Sequence, residues 1–160
     1  MRVFFVFAAI LTAFAAIAAP LQDIYVNSRY DFSISYPPTL LKAQPESDAG
    51  DGRVFAGVKS TARCSVFAGG TAPDINDTAE AAAELAEEKC PGHRASYRVV
   101  KRQLAAISCM IGTDILYSKT LLRGGVATTF IGTYPMKERA RWDAVVAAMA
   151  RSMTAGHFLK

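Results

Sequence analysis

The hydrophobic positions in the second half of the chain fall into two rhythms. From Asp114 to Tyr134 the sequence reads DILYSKTLLRGGVATTFIGTY, two β-prone runs flanking Gly124-Gly125. Glycine accepts the positive φ of the tight turns that match strand twist, so the pair predicts a hairpin corner. With a two-residue loop, Leu121 faces Thr128, Lys119 faces Phe130, Tyr117 faces Gly132 and Ile115 faces Tyr134. Alternation then puts Ile115, Tyr117, Leu121, Val126, Phe130 and Tyr134 on one apolar side, with Lys119 as the charged misfit. After Pro135 the period changes. The segment MKERAR predicts one solvated helical turn, Asp143 is placed to cap the helix proper, and Trp142, Val145, Val146, Met149 and Met153 form a stripe at helical spacing. That helix is expected to cover the apolar side of the hairpin, and Gly156 to Lys160 to fray as a tail.

The first half repeats the strand rhythm in shorter pieces. Leu21 to Arg29 reads as a lead-in, and Tyr30 to Tyr36 alternates so that Tyr30, Phe32, Ile34 and Tyr36 point one way. Pro37-Pro38 supplies no ladder donors and ends that strand. Leu40 to Gly52 reads as a polar loop with a tight turn at Asp51-Gly52. Arg53 to Val58 and Ala62 to Gly69 pair across Lys59, Ser60 and Thr61. Asp77, with Glu80 three residues on, predicts a capped helix through TAEAAAELAEEK, stopped by Pro91-Gly92. Its apolar face is thin, mainly Ala82, Leu85 and Ala86, which predicts close packing against a sheet. Ser96 to Arg102 and Leu104 to Cys109 complete a meander. The sum is α+β: an antiparallel sheet of about six strands packed by two helices.

The N-terminus sets the compartment. Arg2 precedes an apolar run from Val3 to Leu11 that resumes after Thr12 and continues through Ala19, and Ala16-Ile17-Ala18 offers a small-x-small cleavage site. Residues 1–18 are expected to be a signal peptide and the protein periplasmic or secreted; the alternative is a retained anchor, since the run is near the lower limit of a span. No cysteine sits at the cleavage site, so a lipoprotein is not indicated. Residues 19–160 then form a single domain, long enough for a real core, with no transmembrane span after signal removal. The formal charge of +4 drops by one with Arg2, a mild excess that suits an anionic surface. Nucleic acid is not an expected partner of an exported chain.

All three cysteines lie beyond the signal, in a compartment where a disulfide persists. One pair and one buried thiol is the simplest arrangement. Sequence does not separate the three possible pairs, but Cys64 alternates with Ala62, Val66 and Ala68 like a small core residue, so Cys90 with Cys109 is the pair expected. Cys90-Pro91-Gly92-His93 is the sharpest local constellation. A thiolate is stabilised at a helix N-terminus, whereas Cys90 ends its helix, where the dipole opposes negative charge. Cys64, Cys90, His93 and Cys109 are zinc-type ligands, but with only one short spacing among them. Glu46, Asp48 and Asp51 lack the alternation of a calcium loop and suit a turn. His93 and His157 have no triad motif around them. No catalytic residue, metal or cofactor is assigned. Basic residues gather at Arg94, Arg98, Lys101 and Arg102, a candidate anion-binding patch, and again at Lys137, Arg139, Arg141 and Arg151. The acidic helix with Glu80, Glu84, Glu87 and Glu88 is their counterweight.

Tyr30-Asp31-Phe32-Ser33-Ile34-Ser35-Tyr36-Pro37, Gly50-Asp51-Gly52-Arg53-Val54-Phe55, and then Ser108, Ile115, Tyr117, Lys119 and Tyr134-Pro135 resemble a pattern found in small exported bacterial proteins of unassigned activity. The resemblance spans most of residues 19–160 and departs from the pattern at Cys109 and Ala49. More distantly, by topology, the layout resembles the fold shared by the PsbP accessory proteins of photosystem II and a Ran-binding import factor. That resemblance implies an antiparallel sheet flanked by helices and used for binding. The functional expectation is an exported envelope binding or accessory protein without catalytic activity, recognising a protein or an anionic envelope component. Its rival is a cysteine-dependent enzyme or thiol redox protein using Cys90 and His93.

Overall fold

The computed structural model describes residues 23–156. In chain order it contains β1 (Asp23–Asn27), β2 (Phe32–Tyr36), β3 (Leu41–Glu46), β4 (Gly52–Gly57), β5 (Arg63–Gly70), α1 (Ala79–Glu87), β6 (Tyr97–Lys101), β7 (Leu104–Ile111), β8 (Asp114–Arg123), β9 (Val126–Pro135), α2 (Arg139–Ser152) and β10 (Thr154–Ala155). Seven strands form one antiparallel sheet in the order β3-β4-β5-β9-β8-β7-β6, and β1-β2-β10 form a second, small sheet. The expected signal peptide over 1–18 and His157 lie outside the described residues. No helix among the described residues is long and apolar enough to cross a membrane.

The corner at Gly124-Gly125 turns on two glycines with φ of 56° and 75°, and the predicted register holds at all four pairs from Leu121↔Thr128 to Ile115↔Tyr134. Phe130 and Tyr134 are buried in the main core, with Ile115, Tyr117, Leu121 and Val126 packed against it. The helical stripe is the other half of that core, and Trp142, Val145, Val146, Met149 and Met153 are all buried. Gly132 lets the two halves meet. A Cβ there would lie 3.0 Å from both methyl carbons of Val146, so a side chain on the strand would push the helix off. Glu138 fixes the helix start, its Oε2 accepting from Ser60 Oγ at 2.7 Å and Trp142 Nε1 at 2.9 Å. Those two bonds hold the Glu138 carboxyl below its ordinary pKa.

Several local expectations give way to tertiary pairing. The lead-in contains β1, whose Tyr25 and Asn27 point into the core while Ile24 and Val26 are exposed; β2 supplies the partner that makes it a strand. The polar loop likewise contains β3, bulged between Ala43 and Glu46 against β4, so the sheet has more strands than expected. The turn into β4 closes one step early, on Gly50 with φ 62°. Thr78, rather than Asp77, caps α1, its Oγ1 accepting from Ala81 N at 3.1 Å. Asp143 lies within α2 instead of capping it, bonded to the Tyr134 hydroxyl at 2.7 Å and to Arg139 at 2.8 Å. Thr154 and Ala155, just before the expected tail, pair with β2, and its first residue is tied down too, Gly156 N donating to Asp31 O at 2.8 Å.

The two faces of the large sheet are covered differently. On one face α1 lies against β6, β7 and β8 through Ala82, Ala83 and Ala86, small side chains that permit close approach. Cys90, just past its end, is bonded to Cys109 on β7, with Cα atoms 5.9 Å apart. On the other face α2 packs on β9 and β2, and the small sheet closes the core beside it through Phe32 and Ile34. Expected to cover the apolar side of the hairpin, α2 covers its β9 strand and leaves β8, with β7 and β6 beyond it, partly open. Its largest side chains are drawn toward Phe32, Ile34 and Cys64 in the main core.

Asn27 anchors the small sheet. Its Nδ2 donates to Tyr25 Oη at 2.9 Å and Gly50 O at 3.0 Å, while Tyr25 donates to Glu46. Burial pushes the Tyr25 phenol up to about 12 from 10.0, so folding favours its neutral form. The stability this contributes is present below pH 10 and is lost as pH rises toward 12. Tyr25→Phe is expected to make alkaline unfolding, followed by circular dichroism, less steep across that window; an unchanged slope would contradict the assignment.

Candidate functional site

The uncovered part of the α2 face is a groove of about 680 Å³, floored by β6, β7 and β8 and walled by α2. Strand alternation decides what it contains. Tyr97, Val99 and Lys101 of β6 line it, while Arg98 on the same strand turns to the α1 face. Ala106 and Met110 of β7 and Ile115 and Tyr117 of β8 complete the floor, and Val146, Ala147 and Ala150 form the helical wall. Tyr97, Met110 and Met136 are large apolar side chains left exposed at its margin. The body of the groove is therefore apolar, which suits a ligand with an apolar part.

The charge in the groove is one-sided. Lys101, Lys119, Arg139 and Arg151 line it, and Asp143 is the only carboxylate among its described lining residues. Asp143 already serves Arg139 and Tyr134, and its bond keeps the Tyr134 phenol, itself pushed up chiefly by burial, above the ordinary tyrosine range. Lys119, the misfit of the hairpin pattern, ties the sheet to the helix. Its Nζ donates to Ala150 O at 2.6 Å, meeting a free carbonyl at the end of α2 where the helix dipole favours a cation. Burial lowers its pKa. A second cleft adjoins this end, sharing Lys101 and Leu104 and adding Arg102 and Arg123, with no carboxylate among its described lining residues.

The patch expected from sequence is thus divided. Lys101 lies in the groove and Arg102 in the adjoining cleft. Arg98 is committed to α1, paired with Glu80 and, at 3.3 Å, with Glu87, so the acidic helix neutralises it as a counterweight should. The bond to Glu80 is the main cause that raises its pKa. Arg94 is exposed at the turn after Cys90 and lines neither cleft. Sequence grouped cations by adjacency; the fold instead joins Lys101 to Lys119, eighteen residues on, and to Arg151 on the last helix. The signal was present in Lys119, a lysine where the pleat called for an apolar residue.

The other candidate chemistry separates. Cys90 and Cys109 are joined on the α1 face, while Cys64 is buried in the core beneath α2, so the zinc-type ligands do not converge. Glu46 accepts from Tyr25 and Asn27, and Asp51 from Ser47, so two of the three acidic-loop carboxylates hold the local turn together. Among the described residues no group of three or more His, Cys, Asp and Glu side chains is placed to hold a metal. Burial pushes the Cys64 thiol up to about 12. It is expected to resist a thiol-specific chromogenic reagent at pH 8 in native protein and to react at one equivalent on denaturation without reductant. Fast native labelling would contradict its burial.

The class defined by this architecture is an α+β fold of the PsbP kind. Among solved structures the chain is similar to the cyanobacterial PsbP protein CyanoP of Synechocystis sp. PCC 6803, with a TM-score of 0.59 at 12% identity, covering 91% of this chain and 99% of that one. It is also similar to a protein of Bacteroides thetaiotaomicron VPI-5482, with a TM-score of 0.55 at 13% identity, covering 88% of this chain and 51% of that one. No protein-family model matches the chain, and no curated protein matches it in sequence. These likenesses concern the fold, which does not carry a function with it.

Proposed function

We propose that this is an exported envelope protein of the binding or accessory type, without catalytic activity, whose groove beside α2 recognises a protein or an anionic envelope component. The observation that carries the reading is that Lys101, Lys119 and Arg151 line one apolar channel in which Asp143, the lone carboxylate among the described lining residues, is already engaged. Uncompensated cations against low-dielectric walls attract anions more strongly than scattered surface charges do. Export rests on the apolar N-terminal run and the small-residue site at Ala16 and Ala18.

The rival reading needs a thiolate at Cys90. Its sulfur is bonded to Cys109 and buried, at a helix end whose dipole opposes negative charge. Affinity capture from an envelope fraction tests the proposal. Material retained by the immobilised protein at low salt should be released at moderate salt, since screening weakens exposed charge contacts, and should not be retained by Lys101→Glu/Arg151→Glu. Equal retention by both proteins would refute the groove as the site. Turnover of an ester, glycoside or disulfide substrate, abolished by Cys90→Ser, would put the rival ahead.

A further inference from the structure

The groove is polarised along its length, and the strand register shows how. At one end Met110 pairs with Ile115, and Ile115 with Tyr134. There the only charges among the described lining residues, Arg139 and Asp143, neutralise each other at 2.8 Å. Toward the other end Lys101 pairs with Leu104, and Ala106 with Lys119, whose Nζ reaches Ala150 beside Arg151. Lys101 and Arg151 are exposed, and no carboxylate of the described residues pairs with either. One end is apolar with a closed ion pair; the other holds three cations and opens onto Arg102 and Arg123 of the adjoining cleft.

We propose that the groove binds a monomeric phosphate-headed amphiphile, its head group held by Lys101, Lys119 and Arg151 and its chain lying over Ala106, Tyr117 and Ile115. This rests on the groove being the recognition site. The occupant follows from shape and charge together. A volume of about 680 Å³ falls inside the range of small-ligand pockets, roughly 300–1,000 Å³, and a concave site takes a single molecule more readily than a flat membrane. Three converging cations match a phosphate monoester, which carries about −1.5 to −2 at neutral pH, better than a singly charged carboxylate. An apolar floor leading away from that cluster matches a chain, and the neutral Arg139–Asp143 pair at the far end offers no second anion site.

Isothermal titration calorimetry with dodecyl phosphate, kept below its micelle-forming concentration, tests this. One equivalent should bind, with affinity falling as salt rises. Dodecyl maltoside, inorganic phosphate and dodecanoate should each bind at least tenfold more weakly. Lys101→Gln/Arg151→Gln should weaken dodecyl phosphate binding about tenfold or more, since each removes a charge-assisted contact. Arg94→Gln/Lys59→Gln, equal in charge change and outside the groove, should leave affinity unaltered. Ala147→Trp should block the site by filling it, with maintained circular dichroism showing that the variant folds. Equal binding by wild type and the Lys101/Arg151 variant, or binding of the maltoside as tight as the phosphate, would overturn the proposal. If dodecyl phosphate fails to bind while the envelope capture still depends on Lys101 and Arg151, the amphiphile is wrong and an acidic protein partner takes its place. If the capture loses that dependence as well, the groove reading falls with it.

Discussion

Trp142→Ala is expected to lower the unfolding free energy by about 4 kcal/mol, the range for emptying a fully buried tryptophan site. The indole is wholly buried at the start of α2, and its Nε1 is one of two donors on Glu138, whose other donor, Ser60, lies between β4 and β5. Truncation therefore opens a cavity and also loosens the tie between the helix and that turn. Trp142→Phe should cost less, because most of the volume is retained, and the lost bond to Glu138 accounts for about 1–2 kcal/mol of it. Urea unfolding of the two variants would separate packing from hydrogen bonding. Equal and small losses in both would mean that α2 does not hold the core. The groove wall should loosen with the helix, so ligand affinity ought to fall in step with stability for Trp142→Ala.

Cys90→Ser/Cys109→Ser is expected to cost about 3 kcal/mol, the chain-entropy value for closing a loop of this sequence separation. The effect should be local in character. α1 has nine residues, buries Ala79, Ala82 and Ala83, and has no large side chain in the core, so little apolar area fastens it to the sheet. The disulfide supplies the fastening, alongside the ion pairs of Arg98 with Glu80 and Glu87, which are surface contacts of small worth. Amide hydrogen exchange should therefore accelerate across Ala79–Glu87 in the double variant while β8, β9 and α2 keep their protection. A loss below about 1 kcal/mol, with α1 still protected, would show that alanine packing alone suffices.

The part of the fold legible in the sequence is the part whose local signals agree with its tertiary setting. The hairpin had a turn that only glycines make easily and a pleat with one apolar side, so register and buried set followed together. The α2 stripe was equally plain. β1 and β3 were not, and for a common reason: each is short, lies at a sheet edge, and carries polar residues such as Asp23, Asn27, Lys42 and Glu46. Edge strands need a partner more than a propensity, and the partner lies elsewhere in the chain. The caps failed similarly. Asp77 and Asp143 have suitable chemistry, but Asp77 instead accepts from Asp74 N, and Asp143 accepts from Tyr134.

The groove was legible only as an anomaly. Tyr117 and Ile115 read as core because they share a side with Phe130, and nothing local reveals that α2 stops short of β8. Lys119 alone carried the information, since a cation among apolar neighbours needs either an acceptor or an opening; here it has the Ala150 carbonyl and lines the groove. Arg98 and Lys101 illustrate the converse. Three residues apart on one strand, they project to opposite faces, and one is neutralised by α1 while the other borders the groove.

Chemical-shift mapping of the isotope-labelled protein against material eluted from the wild-type capture column tests the groove most directly. Perturbed amides should cluster at Val99–Lys101, Ala106–Ser108, Tyr117–Lys119 and Ala147–Arg151, and the perturbations should vanish in Lys101→Glu/Arg151→Glu. Shifts gathered instead on α1 or around the Gly50 turn, and insensitive to those two substitutions, would contradict the account.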